Sequence, residues 1–273
     1  MQEKQTMSAE GHSDGTVGKA LDVLDMVASF GRPVRFVDLL SQSPYPKATL
    51  YRLLQTLTNQ GMLQHESEMG TYALGVRLVR LAHSAWAQSS LAPIARPHID
   101  RLARQTGETI HVAQLDRGHV LYVDKRSAAQ TVEMFSQAGR VGPAYCTGVG
   151  KAMMAFLSPD ALQNALNAQS YHPHTPTTLS SAEALVSELE QIRRDGHAFD
   201  REEHEPGIIC CAVPILARGG SVLGALSLTA QTSKRSLDEL SRLAPELKQV
   251  AAEIARDVEN WRFPERNTEE TTQ

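Results

Sequence analysis

Cysteine is scarce in this chain. Only Cys146, Cys210 and Cys211 occur in 273 residues, too few for a disulfide framework, and adjacent cysteines do not readily bridge each other. No CxxC pair suggests a zinc ribbon, so a reducing compartment fits best. Long hydrophobic runs are missing as well. None approaches the roughly 20 residues that span a bilayer, and the opening MQEKQTMSAEGHSDG has no apolar core of the secretory-signal kind. These absences predict a soluble cytoplasmic protein without a membrane partner. A strong charge of one sign is lacking too: 27 Lys and Arg face 31 Asp and Glu, a net charge of −4. That balance argues against a nonspecific nucleic-acid coat protein.

What is present suits two domains, one short and one long. Hydrophobic residues make up 41% of the chain, enough for real cores and against wholesale disorder. Charge is unevenly shared. Residues 14–92 carry seven basic against six acidic side chains, whereas residues 93 onward carry nineteen against twenty-three. The asymmetry runs in the direction expected of a DNA-reading front end on a larger acidic body.

The first ninety residues read as three short helices and a hairpin. Val17, Ala20, Leu21, Leu24 and Val27 recur at helical spacing and stop at Gly31 and Pro33. A second helix holds Phe36, Val37, Leu39 and Leu40 and is broken by SQSPYP. It opens at Arg35-Phe36 without a Ser, Thr or Asp cap, which predicts a fraying first turn. A third runs from Lys47 or Ala48 to Gln60, buries Leu50, Leu53, Leu54 and Leu57, and stops at Gly61. Such a trio is the core of a helix-turn-helix.

With its leucines turned inward, the third helix presents Lys47, Thr49, Tyr51, Arg52 and Gln55. Arg forks onto guanine and Gln onto adenine, while Lys, Thr and Tyr hold phosphates. Any amphipathic helix has a polar outer face, so the neighbour decides. Met62–His65 and Thr71–Leu74 read as strands around a Ser-Glu-Met-Gly turn, and a hairpin directly after such a helix is a wing.

The run TVGKALDVLDMVASFGRPVRFVDLLSQSPYPKATLYRLLQTLTNQGML, followed by YALGVRLVRLA, resembles the DNA-binding domain of the IclR family of transcriptional regulators. The segments GVGKAMM and GHAFDREEHEPGIICCAVPI resemble that family's effector domain, so the likeness covers roughly residues 14 to 260. It implies an α+β protein. A flexible tail (1–13) precedes a winged helix-turn-helix (14–75), a linker and dimerisation helix (76–92) and an effector-binding domain (93–263) with a mainly antiparallel sheet. A second tail covers 264–273. Leu78, Leu81, Ala82 and Ala85 form a helical stripe, which serves either packing on the wing domain or pairing with a twin. The resemblance favours pairing.

Beyond residue 93 the pattern mixes helices and hairpins, as an α+β domain does. Ile94, Ile99, Leu102 and Ala103 mark a helix that Pro97 interrupts or delays. Strands follow at Thr109–Leu115, Val120–Lys125 and Thr131–Ser136, then a helix over Thr147–Leu157. Ser180-x-x-Glu183 reads as a capping box opening a helix that Gly196 closes. Ala212–Leu216 and Val222–Leu228 form a second hairpin before a long helix from Ser236 to Glu259.

Gly139, Gly142, Gly148 and Gly150 surround a helix start, where free N–H groups attract an anion; glycine's permissive backbone equally explains a shaped loop. GxxxxGK[ST] is not present, so a carboxylate suits better than a nucleotide. By resemblance, the effector contacts fall on the backbone of Gly148 and Val149 and on Asp200, Ile208, Cys210, Ser227 and Thr229. Met134 offers a further wall or packs in the core.

Three rivals have less behind them. Cys146 or Cys210 with His197 or His204 has the residue types of a nucleophilic pair, but no spacing or orienting group fixes one. His197, Asp200, His204 and Cys210 are metal-ligating types in no standard finger spacing. An architectural DNA-binding protein would not need the acidic second domain. The resulting expectation is a ligand-responsive regulator without catalytic residues, cofactor or metal. It binds a palindromic operator as a homodimer or homotetramer, represses a catabolic operon, and answers a small organic acid.

Overall fold

The computed structural model of the protein describes residues 15–88, 91–127 and 136–262. The chain divides into two compact units between Gln88 and Ser89.

The first unit contains α1 (Gly15–Ser29), β1 (Val34–Arg35), α2 (Phe36–Gln42), α3 (Lys47–Asn59), β2 (Leu63–Glu66), β3 (Thr71–Leu74) and α4 (Val76–Gln88). Helix α3 buries Leu50, Leu53, Leu54 and Leu57, as the spacing predicts. Full burial of each contributes about 1.5–3 kcal/mol. The stripe on α1 differs from the expected one. Val23, Leu24 and Val27 are buried and Ala20 packs at the margin, whereas Val17 and Leu21 stay exposed.

Strands pair antiparallel in the order β1-β3-β2. The short strand β1 was not anticipated, and it resolves the uncapped start of α2. Arg35 makes no side-chain cap, but its extended backbone pairs with Thr71, so strand pairing fixes the entry that a Ser or Asp usually fixes. Gly61 leaves α3 with φ +70, and a Cβ on Gly75 would stand 2.2 Å from the Gly61 carbonyl oxygen. The hairpin and the end of α3 touch there, backbone to backbone.

The second unit contains α5 (Leu91–Thr106), β4 (Thr109–Asp116), β5 (His119–Arg126), β6 (Val141–Gly142), α6 (Gly148–Met154), α7 (Pro159–Asn167), α8 (Ala182–Asp195), β7 (Ala198–Arg201), β8 (Ile208–Leu216), β9 (Val222–Gln231) and α9 (Leu237–Arg262). Six strands form one antiparallel sheet, in the order β6-β5-β4-β9-β8-β7.

Alternation along the strands builds two cores. One face sends Ile110, Val112, Ile209, Cys211, Val213, Leu226 and Leu228 against α5 and α9. Leu91 and Ala92, expected at the end of the linker, are buried on α5, and Leu91 belongs to this core; Pro97 lies inside α5 without ending it. The other face carries Ala113, Ala198, Ala212 and Ala225 under α6 and α8. Small residues at these positions let α6 lie close to the strands.

Several boundaries depart from the sequence reading. Strand β8 starts at Ile208 rather than Ala212, and α6 ends at Met154 rather than Leu157. The N-cap of α8 is Ser181, not Ser180: its hydroxyl accepts the Ala184 N–H at 3.2 Å. Gly196 closes that helix at φ +69, as expected. Helix α7 was missed, although Ser158 caps it and Pro159 stands in its first turn. Residues 131–135 of the expected third strand, Met134 among them, lie outside the described residues, and Ser136 belongs to no strand.

Candidate functional site

In the first unit, the turn between α2 and α3 is pinned twice. The Tyr45 N–H donates to Ser43 Oγ at 3.0 Å, and its phenol donates to Asp22 on α1. That carboxylate pushes the Tyr45 pKa up to about 12. The phenol therefore stays protonated as a strut, and α3 is held against α1. Lys47, Tyr51, Arg52 and Gln55 are exposed on α3 and Thr49 is half-buried. Tyr51 meets the Phe36 ring edge-on at 6.1 Å, which fixes one end of the polar face. Beside the wing, Arg32, Arg35, Gln64 and His65 line a groove. Arg32 and Arg35 are exposed cations that sequence reasoning passed over, because nothing in a linear pattern places the entry to α2 beside the hairpin.

In the second unit, a row of polar side chains crosses the sheet on the α6 side. Asp200 on β7 stands opposite Cys210 on β8, which stands opposite Thr229 on β9. In the next row Ser227 pairs with His111 on β4. Helix α6 covers this row very closely. A Cβ on Gly148 would lie 2.5 Å from Cys210 Sγ, and one on Gly150 would lie 2.3 Å from the Ala144 oxygen. The glycine spacing is thus accounted for by the approach of α6 to its neighbours.

Between α6, the sheet and the loop after β7 lies a cavity with about 40 Å³ of room for water centres. At ~10–15 Å³ for each water, that is space for a small molecule and not for a nucleotide. All seven positions singled out for the effector, namely Gly148, Val149, Asp200, Ile208, Cys210, Ser227 and Thr229, line it. So do His111, Tyr122, Ser136, Thr147, His204 and Glu205, which sequence reasoning did not assign. His111 and Tyr122 alternate toward one face of β4 and β5, a signal legible only once the strand register is known.

The electrostatics are set mainly by burial. His111 has its pKa pushed down to about 3 by burial, then by Lys125, so the ring is neutral. Its Nε2 lies 2.8 Å from Ser136 Oγ and its Nδ1 lies 3.2 Å from Thr229 Oγ1. Asp200 is pushed up to about 7 by burial and then by Glu203, and its Oδ1 accepts the Glu203 N–H at 2.8 Å. Burial likewise raises the thiols of Cys146 and Cys210, which keeps them protonated and poorly nucleophilic. His197 packs on Phe199 at 5.0 Å, on the side of β7 away from Asp200. The metal set weighed above is therefore not brought together, and no group of three or more His, Cys, Asp or Glu among the described residues is placed to hold an ion.

This architecture matches known proteins across nearly the whole chain. Residues 16–67 match the IclR helix-turn-helix domain, and residues 83–256 match the family described as bacterial transcriptional regulator IclR C-terminal. The chain belongs to the IclR family. Among curated relatives, the HTH-type transcriptional regulator XynR of Escherichia coli is 33% identical over 88% of this chain and 96% of its own length. The transcriptional repressor IclR of Escherichia coli is 28% identical over 86% of this chain and 87% of its own. Among solved structures, Thermotoga maritima IclR is 28% identical with a TM-score of 0.71, covering 89% of this chain and 98% of that one. An IclR homolog from Microbacterium hydrocarbonoxydans complexed with 4-hydroxybenzoate has a TM-score of 0.77 over 89% of this chain and 99% of that one. At 22% identity it speaks for the fold alone. Family membership makes this IclR protein a DNA-binding transcriptional regulator with a helix-turn-helix domain, a non-enzyme class. Among the described residues, no helix is long and apolar enough to cross a membrane.

Proposed function

We propose that this IclR-family regulator is a cytoplasmic repressor of a catabolic operon that binds a palindromic operator as a dimer or tetramer and answers a small organic acid. The observation that carries the reading is the cavity, where side chains from β4, β7, β8 and β9 converge with the first turn of α6. A regulator without a ligand has no use for buried polar groups gathered around a void, since each costs free energy unless it is paired. On this reading, residues 14–75 bind DNA, residues 76–92 form the linker and residues 93–263 bind the effector. Lys47, Thr49, Tyr51, Arg52 and Gln55 face the operator, and the wing reaches the flanking backbone.

Self-association draws support from α4. Leu78 packs on the winged-helix core, but Val76, Val79 and Leu81 are exposed. An isolated domain gains nothing from three exposed aliphatic side chains on one 13-residue helix; a second copy covering them does. That one relative is named a repressor and a fold neighbour is complexed with an aromatic acid accords with the repressor and effector assignments.

The test is a DNA-release assay on the region upstream of the protein's own gene, by fluorescence anisotropy with a panel of metabolite acids. Tight binding that specific acids reverse is the expected result. Binding no stronger than to unrelated DNA sinks the regulator-of-its-own-region reading, and tight binding that no acid reverses sinks the effector reading.

A further inference from the structure

We infer that Arg77 is a positioning residue for DNA recognition: it sets the tilt of α3 by tying the end of that helix to the first turn of α4, and it touches no DNA itself. The inference rests on the reading of α3 as the DNA-facing helix and adds to it the residue that aims that helix.

Three observations carry it. First, α3 is tethered at both ends by side-chain bonds to other elements. Just before its start, the Tyr45 phenol donates to Asp22 on α1. At its far end, Arg77 Nη1 donates to the Gln60 carbonyl oxygen at 2.9 Å and to Gln60 Oε1 at 3.0 Å. Gln60 is the C-cap of α3. Carbonyls at a helix C-terminus lack partners within the helix, and a cation there also meets the negative end of the helix dipole.

Second, the main chain closes the same joint. The Arg77 N–H donates to the Gly61 carbonyl oxygen at 3.4 Å, and the Gly75 N–H donates to that of Met62 at 2.8 Å. Gly61 and Gly75 approach too closely for any side chain on Gly75. Leu78, the next residue of α4, packs against the core of the first unit. The first turn of α4 and the end of α3 are thus one joint.

Third, Arg77 Nε is buried and has no hydrogen-bond partner. A buried unpaired donor costs free energy, and methionine fills a similar volume without that cost. What accounts for an arginine here is the pair of oxygens held by its outer nitrogen.

Leverage makes the joint matter for recognition. Gln55 lies eight residues beyond Lys47, about 12 Å along the helix axis. A tilt of about 10° around the Tyr45 end moves it by roughly 2 Å, whereas a productive contact tolerates only about 0.5 Å.

The experiment measures fluorescence anisotropy of the full chain on two duplexes at several salt concentrations. One duplex is selected from a random pool by the wild-type protein, and the other is a scrambled version of it. Arg77→Met should bind the selected duplex roughly 5- to 150-fold more weakly, the loss of about one base contact. Affinity for the scrambled duplex and the salt dependence on both should be unchanged, with circular dichroism at the assay temperature showing a folded chain. Should Arg77→Met not fold, Gln60→Ala, which deletes only the side-chain acceptor, is read in the same way. A salt dependence lowered by about one charge makes Arg77 a phosphate contact and overturns the inference. Wild-type affinity for the selected duplex, or an equal loss on both duplexes, overturns it as well. Arg52→Ala on the selected duplex tests the reading underneath. If that variant binds as wild type does, the DNA-facing assignment of α3 fails and the inference falls with it. If Arg52→Ala weakens binding and Arg77→Met does not, only the aiming role of Arg77 fails.

Discussion

The ammonium of Lys151, with no solvent exposure, lies 2.5 Å from Oε1 of Glu203 and 3.4 Å from Glu188. It fastens α6 to the loop after β7, the two elements that close the cavity from opposite sides. Glu203 Oε1 also accepts the Arg201 N–H at 3.3 Å and lies 3.8 Å from the Arg201 guanidinium, while Oε2 has no hydrogen-bond partner. Lys151 is thus the nearer of two cations and the buried one. Lys151→Met strands the Glu203 charge and should cost about 3–5 kcal/mol of effector-domain stability. Adding Glu203→Gln to the same variant should recover part of the loss. Thermal unfolding of both variants checks it; equal losses in the single and double variants would mean the pair is not coupled.

Asp200 sets a pH dependence. Burial beside Glu203 raises its pKa from 3.8 to about 7 in the folded protein. The folded state therefore holds this proton more tightly than the unfolded chain, and stability falls as pH rises from about 4 toward about 7. Asp200→Asn removes the ionisation while keeping an oxygen for the Glu203 N–H. It should stabilise by a margin that grows across that window and levels off above it, at ~1–3 kcal/mol. Melting curves at pH 5 and pH 8 decide: a pH-independent difference refutes the assignment.

Gly150 is a packing requirement. A Cβ there would meet main-chain atoms of Ala144 at 2.3–2.7 Å, and backbone yields little. Gly150→Ala should destabilise by ~1–3 kcal/mol through overpacking. Gly219→Ala, with nothing within 4 Å of its Cβ, should change stability by under about 0.5 kcal/mol. Chemical denaturation of the two variants side by side reads the contrast.

Arg52 is exposed on α3, away from the buried leucines. Arg52→Ala should weaken operator binding by ~1–3 kcal/mol if the fork reads a base, with ligand binding and melting temperature unchanged. If its partner is a phosphate, the salt dependence of binding should drop by about one charge. Anisotropy at several salt concentrations separates the two, and wild-type affinity throughout removes Arg52 from the interface.

Leu81 is 47% exposed on α4. If the stripe is a self-association surface, Leu81→Glu buries an unpaired charge in the dimer at a cost of several kcal/mol, while an isolated chain tolerates it. Sedimentation velocity should show dissociation, with operator affinity falling as paired half-site binding is lost. An unchanged oligomer with normal DNA binding assigns this face to something other than self-association.

Local sequence by itself determined a good deal. The four inward leucines of α3, the turn residues of the wing and the Gly196 stop of α8 are each set by interactions within a few residues, so spacing and turn chemistry suffice to read them. The seven effector positions came from likeness to a family, and residue patterns alone would not have gathered them, since they span residues 148 to 229 of the chain. Tertiary structure decided the rest. Val17 and Leu21 carry the same helical spacing as Leu24, yet they are exposed, because burial depends on which neighbour arrives and not on period. His111 and Tyr122 reach the cavity only through the β4–β5 and β4–β9 registers, and a one-residue slip would turn them to the other face. Asp200 takes its raised proton affinity from burial and then from the charge of Glu203, against which Lys151, distant in sequence, pulls the other way. No local pattern contains that information, because burial and charge proximity are properties of the assembled chain.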